Sequence, residues 1–185
     1  LRALVVPFDR DFTPLPGLTF SPIALAHDTT GSHGFVIDGF GTRIGYATDL
    51  GHVPRYLLDA FRRLDLLAIE ANYDAEMQMA SPRPYFLKKR IMGGAGHLSN
   101  AQALAAVKQV FDRATAMGEP LPGHVVLLHR SRQCNCPKLL RRLFESDPRI
   151  AVAAAGENGI SLTPDTLEPG EEVLVLERIR AILQG

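Results

Sequence analysis

Neither sign of charge is in excess in this sequence: twenty Lys and Arg stand against twenty Asp and Glu. No overall pull toward nucleic acid or membrane follows, and any polyanion contact has to come from a local patch. Cysteine is nearly absent. Cys134 and Cys136 are the only two, one residue apart, too tight a spacing for an ordinary structural disulfide and too few for a disulfide framework. That usage fits a reducing, cytoplasmic setting. No apolar run approaches the roughly 20 residues of a membrane span, and no charged segment followed by an apolar stretch opens the chain, so no membrane partner is expected. Internal repeats, low-complexity tracts and short metal motifs such as H-E-x-x-H or C-x-x-C are also missing.

What remains is an ordinary globular composition: 185 residues, 46% hydrophobic and 22% charged, enough for one core and one domain spanning residues 1–185. Leu18 to Ala26 is strand-like, Gly34 to Asp38 is short and β-branched, and Thr42 to Asp49 alternates, with turn signals at Gly31 and Gly39 to Gly41. These predict consecutive antiparallel strands. Val53 to Arg63 has the apolar spacing of an amphipathic helix, Leu66 to Ile69 that of a buried strand, and from there the pattern is α/β. Ser81 to Pro84 breaks the chain twice with proline and Phe86 to Ile91 is a basic stretch. A helix capped at Ser99 or Asn100 is expected to reach about Met117, then come a turn at Leu121 to Gly123, a strand over Val125 to Leu128 and a basic amphipathic helix over Pro137 to Glu145. Ile150 to Ala155, Ile160 to Leu162 and Val173 to Leu176 look like further strand pieces.

Four motifs sit where apolar strands give way to loops: Ala26-His27-Asp28, Ala47-Thr48-Asp49-Leu50-Gly51-His52, Gly96-His97-Leu98-Ser99-Asn100 and Leu128-His129-Arg130-Ser131. Strand ends of one sheet converge on one rim, so the set is a candidate site. Taken singly, each His is equally what a capped or solvated strand-end residue looks like. Imidazole suits zinc and a carboxylate can bridge two ions, which makes the group a candidate metal site.

On these motifs the sequence from about Leu18 to Pro137 resembles the metallo-β-lactamase superfamily, in its phosphodiesterase-like branch of ribonuclease Z and the exonucleases linked to cell-wall metabolism. His27, followed by a Gly-containing turn and Gly34-Phe35-Val36-Ile37, is similar to the family's third-motif histidine ligand. Asp49 in Ala-Thr-Asp-Leu-Gly is similar to the bridging aspartate, and His129 in Val-Leu-Leu-His-Arg-Ser to the last histidine ligand. The resemblance implies His27, Asp49 and His129 as ligands of two divalent ions, zinc or manganese. It implies Asp49, Glu70 and His97 as catalytic residues, with His97 protonating the leaving oxygen and Glu70 orienting it. A nucleic acid or a small phosphodiester is the implied substrate, Lys88, Lys89 and Arg90 with Arg130 and Arg132 being candidate phosphate contacts. They can equally be a solvated face. His52 reads as either a neighbour of the site or a solvated loop residue, and His33 and His124 as turn residues. Ser131 and Asn135 resemble the polar residues that follow the last histidine in the exonucleases, whereas Arg130, Arg132, Cys134 and Cys136 depart from that pattern.

The superfamily's H-x-H-x-D-H loop has no counterpart: the six histidines stand at 27, 33, 52, 97, 124 and 129. Leu1 stands where an initiator Met would, and only 26 residues precede His27. The fold class expected is therefore α/β, a partial αββα metallo-β-lactamase sandwich lacking its N-terminal strands and that loop. With about two protein ligands per ion the chain alone is expected to be inactive, and an uncovered sheet face invites self-association, for instance as a homodimer. Two other readings remain: a small-molecule hydrolase of the same fold, acting on a thioester, lactone or cyclic phosphodiester, and a degenerate non-catalytic scaffold.

Overall fold

The computed structural model of the chain describes residues 8–152. Their sheet has six strands: β1 (Phe12–Leu15), β2 (Leu18–Leu25), β3 (Ser32–Gly39), β4 (Thr42–Ala47), β5 (Leu66–Glu70) and β6 (His124–Leu128), side by side in chain order. The first four are antiparallel neighbours because short turns join them. Phe40 and Gly41, the two residues between β3 and β4, both have positive φ, 53° and 76°, the geometry a two-residue hairpin requires. After β4 the connections carry helices and pairing becomes parallel, with Ala47 opposite Ile69 and Glu70 opposite Leu128.

That change of pairing decides where the site lies. Because β2 and β4 are each antiparallel to β3, and β4, β5 and β6 are mutually parallel, four strands run in one direction and end on one rim. The residues leaving those ends are His27, Asp49, Glu70 and His129. His97 reaches the rim by another route, on the loop between α3 (Tyr85–Ile91) and α4 (Asn100–Ala116).

The core lies between the sheet and its helices, α1 (Arg55–Ala60), α4 and α5 (Pro137–Phe144). α4 begins with a capping box: the Ser99 hydroxyl accepts from the Gln102 amide while the Gln102 side chain accepts from the Ser99 amide. From there Ala103, Ala106, Val107, Val110, Phe111 and Ala114 recur at helical spacing and are buried. α5 has Pro137 in its first turn and buries Leu140 and Phe144, one turn apart. No helix among the described residues is long and apolar enough to cross a membrane.

Several expected elements shift. The helix expected over Val53 to Arg63 is the shorter Arg55–Ala60, since Pro54 sets its start and Arg63 adopts a positive φ of 51°. His33 and His124, expected in turns, lie in β3 and at the first position of β6. α2 (Ala75–Ala80) and β1 were not expected. α2 is six residues long and β1 four, below the length at which periodicity is visible. Of the expected C-terminal strand pieces, Ile150 to Val152 are described and form no strand. The pieces at 160–162 and 173–176 lie outside the described residues.

Two glycines let the loops of the rim interlock. A Cβ on Gly51 would overlap the backbone of Gly94 and Ala95, and one on Gly96 would overlap the carbonyl groups of Arg90 and Ile91. Gly51→Ala is expected to lower stability by about 1–3 kcal/mol, the scale of overpacking, and to lower the thermal midpoint by about 2–4 °C for each kcal/mol. Gly94→Ala should cost little, because nothing stands within 4 Å of its Cβ position. Equal midpoints for the two variants in a thermal melt would refute the interlocking.

Candidate metal and catalytic centre

At the rim, Glu70 is the last residue of β5 and is fully buried. Its Oε1 lies 2.7 Å from Nδ1 of His97 and 2.8 Å from Nδ1 of His129, and its Oε2 accepts from the Leu50 amide at 3.2 Å. Burial works against its charge, but the hydrogen bonds and charges of His129 and His97 outweigh it, so the Glu70 carboxyl titrates below the usual carboxylate range. An ionised carboxylate only accepts, so both imidazoles donate from Nδ1, and in their neutral form the lone pair is on Nε2. His27 is fixed in the same sense, its Nδ1 2.9 Å from the Gly96 carbonyl oxygen. Three histidines thus share one tautomer.

Asp49 stands in the middle. Its Oδ1 lies 3.7 Å from His27 Nε2, 3.7 Å from His97 Nδ1 and 3.4 Å from His129 Nδ1. The rings of His27 and His97 are 4.9 Å apart between centroids, and those of His97 and His129 5.0 Å. Asp49, Glu70, His97 and His129 each offer a donor atom within 4.8 Å of the others. A divalent metal ion, which the fold family implies, suits this set of carboxylate and imidazole donors. Asp49, His27 and His129 are candidate ligands of such an ion, while Glu70, engaged by two N–H donors and an amide, is the carboxylate that holds the His97 and His129 rings.

All five residues expected at a site therefore meet at one rim. His52 stays outside, exposed, its Nδ1 2.8 Å from the Gly94 carbonyl oxygen, where it ties the β4 loop to the loop carrying His97. Cys134 and Cys136 are free thiols, the first buried, and neither belongs to the donor group. Arg130 and Arg132 are exposed. Of the three basic residues at the end of α3, Arg90 reaches the site: its Nε and Nη2 donate to Asp28 at 3.0 and 2.6 Å, beside His27. A pocket of about 150 Å³ opens here, between Leu87, Arg90 and Ile91 of α3 and the side chains of His27, Asp28 and His97.

A match to the beta-lactamase superfamily domain covers residues 3–118. The chain belongs to that family. Among solved structures, this beta-lactamase-family chain is similar to the metallo-beta-lactamase fold protein YhfI from Bacillus subtilis, with a TM-score of 0.53 and 15% identity over 77% of this chain and 48% of that one. A Zn(2+)-bound PqqB from Methylobacterium extorquens aligns with a TM-score of 0.52 and 18% identity, over 76% of this chain and 46% of the other. Curated relatives include the exodeoxyribonuclease YycJ of Bacillus anthracis, 25% identical over 143 residues, which are 74% of this chain and 52% of the relative. The exodeoxyribonuclease WalJ of Streptococcus pneumoniae is 27% identical over 128 residues, 68% of this chain and 45% of the relative. The chain spans about half the length of the curated relatives it matches.

The residues that sequence reasoning missed are the ones that hold this family site in shape. Asn135, matched only as a polar neighbour of the last histidine, is buried and donates to the carbonyl oxygens of Ala71 and Asn72 and to Oδ1 of Asn100 at 2.8–2.9 Å. Asn72 in turn donates to the His129 carbonyl oxygen at 2.7 Å, and Ser32 to the Asp49 carbonyl oxygen at 2.5 Å. Asp28 anchors Arg90. An Asn or Ser in a loop carries no periodic signal, so only the position of Asn72 two residues beyond Glu70, and of Asn100 in Gly-His-Leu-Ser-Asn, pointed here.

The lowered Glu70 pKa ties stability to pH. Its contribution is complete above the ordinary carboxylate value and is lost as pH falls through the lower folded value. Measured with chelator present, the wild type should lose stability as pH drops below about 4.5, and Glu70→Gln should lack that part of the loss. At neutral pH Glu70→Gln should cost about 1–3 kcal/mol, since a charged, buried acceptor of three hydrogen bonds is replaced. Parallel pH profiles of the two proteins in denaturant titrations would rule this out.

Proposed function

We propose that the site serves metal-dependent hydrolysis of phosphodiesters, in the manner of a nuclease. The observation that carries the reading is the doubly shared Glu70: one buried carboxylate holds both His97 and His129 by Nδ1 while Asp49 stands beside them. A divalent ion, zinc or manganese, would be held by His27, Asp49 and His129, and a second by further donors with Asp49 shared; bound there, metal supplies a Lewis acid and lowers the pKa of water. The chain's own residues supply the rest. Glu70 accepts from Nδ1 of His97 and fixes its ring, so that Nε2 is the nitrogen that carries a transferable proton. From that atom the proton passes to the departing oxygen of the ester, the step that breaking a phosphodiester at neutral pH needs. The names of YycJ and WalJ support a nuclease over other chemistries of the fold.

A second reading, a small-molecule hydrolase acting on a thioester, lactone or cyclic phosphodiester, draws on the size of the pocket beside His27 and His97, about 150 Å³. Arg90 at its edge favours a phosphate-bearing substrate over an uncharged one.

Zinc and manganese binding by equilibrium dialysis, with hydrolysis of bis(p-nitrophenyl) phosphate, tests the proposal on this chain and on a version carrying an H-x-H-x-D-H segment ahead of Leu1. The expected result is metal binding that Asp49→Ala or His129→Ala abolishes. Hydrolysis by the longer version should fall about 10²- to 10⁴-fold in His97→Ala, the usual contribution of a positioned general acid. If neither protein binds metal, or if ester hydrolysis survives the loss of Asp49, the proposal fails.

A further inference from the structure

α3 is an anomaly among the helices: none of its seven residues is buried, and Tyr85 and Phe86 are both 73% exposed. Its exposed residues are Tyr85, Phe86, Lys89 and Arg90, and the others are half-buried. At about 100° per residue these four fall on one arc of about 140°, in the order Tyr85, Lys89, Phe86, Arg90. Aromatic and basic side chains therefore alternate across one surface. Lys88 is turned away, with its Nζ donating to the Met79 carbonyl oxygen at 2.5 Å.

The arc ends at the site. Arg90 lines the pocket next to His27 and His97, and two of its five N–H donors are fixed on Asp28. That pocket, at about 150 Å³, is below the roughly 300 Å³ at which a site encloses a drug-sized ligand. Most of any larger substrate must therefore lie outside, and on the Arg90 side the adjoining surface is α3. Arg90 meets one carboxylate, Asp28, and Lys89 adds a second cation on the exposed arc, so this surface suits an anion.

We infer that the exposed arc of α3 is a platform for single-stranded nucleic acid, on which Tyr85 and Phe86 stack against bases while Lys89 and Arg90 contact phosphates, Arg90 at the mouth of the pocket. The inference rests on the phosphodiesterase reading and adds the substrate class. Stacking needs bases whose faces are open, which a single strand offers and a duplex does not. Alternating π-faces and cations are what a sequence-tolerant single-strand site uses. Asp28 is a positioning residue: it sets the guanidinium plane and leaves the remaining N–H donors for a phosphate.

Binding of a fluorescein-labelled oligothymidylate of about 12 nucleotides, within the span of known single-strand sites, is measured by anisotropy on the whole chain with EDTA present. Tyr85→Ala and Phe86→Ala should each weaken binding about 5- to 150-fold, while Phe86→Tyr, which keeps a ring, should bind like the wild type. Arg90→Ala should reduce the slope of log affinity against log salt by about 0.7, one phosphate contact on a single strand. All these side chains are exposed, so a thermal melt confirms that the variants fold. Unchanged affinity in the Tyr85→Ala/Phe86→Ala double variant overturns the inference, as does equal binding of a duplex that ignores both aromatics. A double variant that turns a dimer into a monomer without altering oligothymidylate binding also overturns it, since α3 is then a contact between copies. Because no turnover is measured, failure of ester hydrolysis in the metal-loaded protein leaves this result standing, and the two readings fail separately.

Discussion

A carboxylate removed from water is costly by several kcal/mol unless its lone pairs are filled, and Glu70 is such a group at the end of β5. The arrangement of the rim follows from how that cost is offset. Three donors reach Glu70: the Nδ1 groups of His97 and His129, and the Leu50 amide. These come from three different segments, the loop after α3, the end of β6 and the end of β4. None can shift without leaving a buried charge short of a partner. The same hydrogen bonds decide tautomers, because an ionised acceptor forces Nδ1 to be the donor and leaves Nε2 as the coordinating or proton-carrying nitrogen. The stability of the rim and the orientation of both rings thus depend on one group.

The left-handed backbone at Asp49 and His129 shows what the convergence requires. Both follow ends of parallel strands, and both have positive φ, 57° and 52°. A strand continued without this reversal would carry its next side chains to alternate faces, away from Glu70. The turn brings Asp49 and His129 back over the rim. Non-glycine residues in this region are strained by about 1–3 kcal/mol and persist where the surroundings over-determine them. Here the carbonyl of each accepts a side-chain hydrogen bond, from Ser32 at Asp49 and from Asn72 at His129. The Asn100 and Asn135 pair then locks the Ala71–Asn72 backbone from behind.

Much of this was legible before the fold was known, and the reasons differ by residue. The strands from Leu18 to Ala47 and from Leu66 to Glu70 announce themselves by alternation or by a short apolar run, and α4 by a capping pair and helical spacing. His27, Asp49, Glu70, His97 and His129 were visible because each ends or follows an apolar strand or sits in Gly-His-Leu-Ser-Asn. The sharing of Glu70 between two histidines was not, because the parallel register of β5 with β6 sets it, and register between distant strands leaves no local mark in a sequence. α3 was hidden for a related reason: with nothing buried it has no apolar stripe, and reads only as a basic stretch beside two prolines.

That missing stripe separates two ways in which successive helices are held. α4 is fixed by what it buries, and its sequence answers to the core through Val107, Val110 and Phe111. α3 is held from its ends and by side chains reaching outward: Pro84 starts it, Arg90 is pinned by Asp28, and the His97 amide donates to the Ile91 carbonyl oxygen beyond it. A helix so held keeps its whole outer surface free of packing duties. Its aromatic residues therefore answer to whatever meets that surface, while the tie from Ile91 to His97 transmits the position of α3 to the ring that Glu70 orients. Anything seated on the outer arc of α3 is thus linked through a few hydrogen bonds, and no intervening core, to the buried carboxylate on which the site is built.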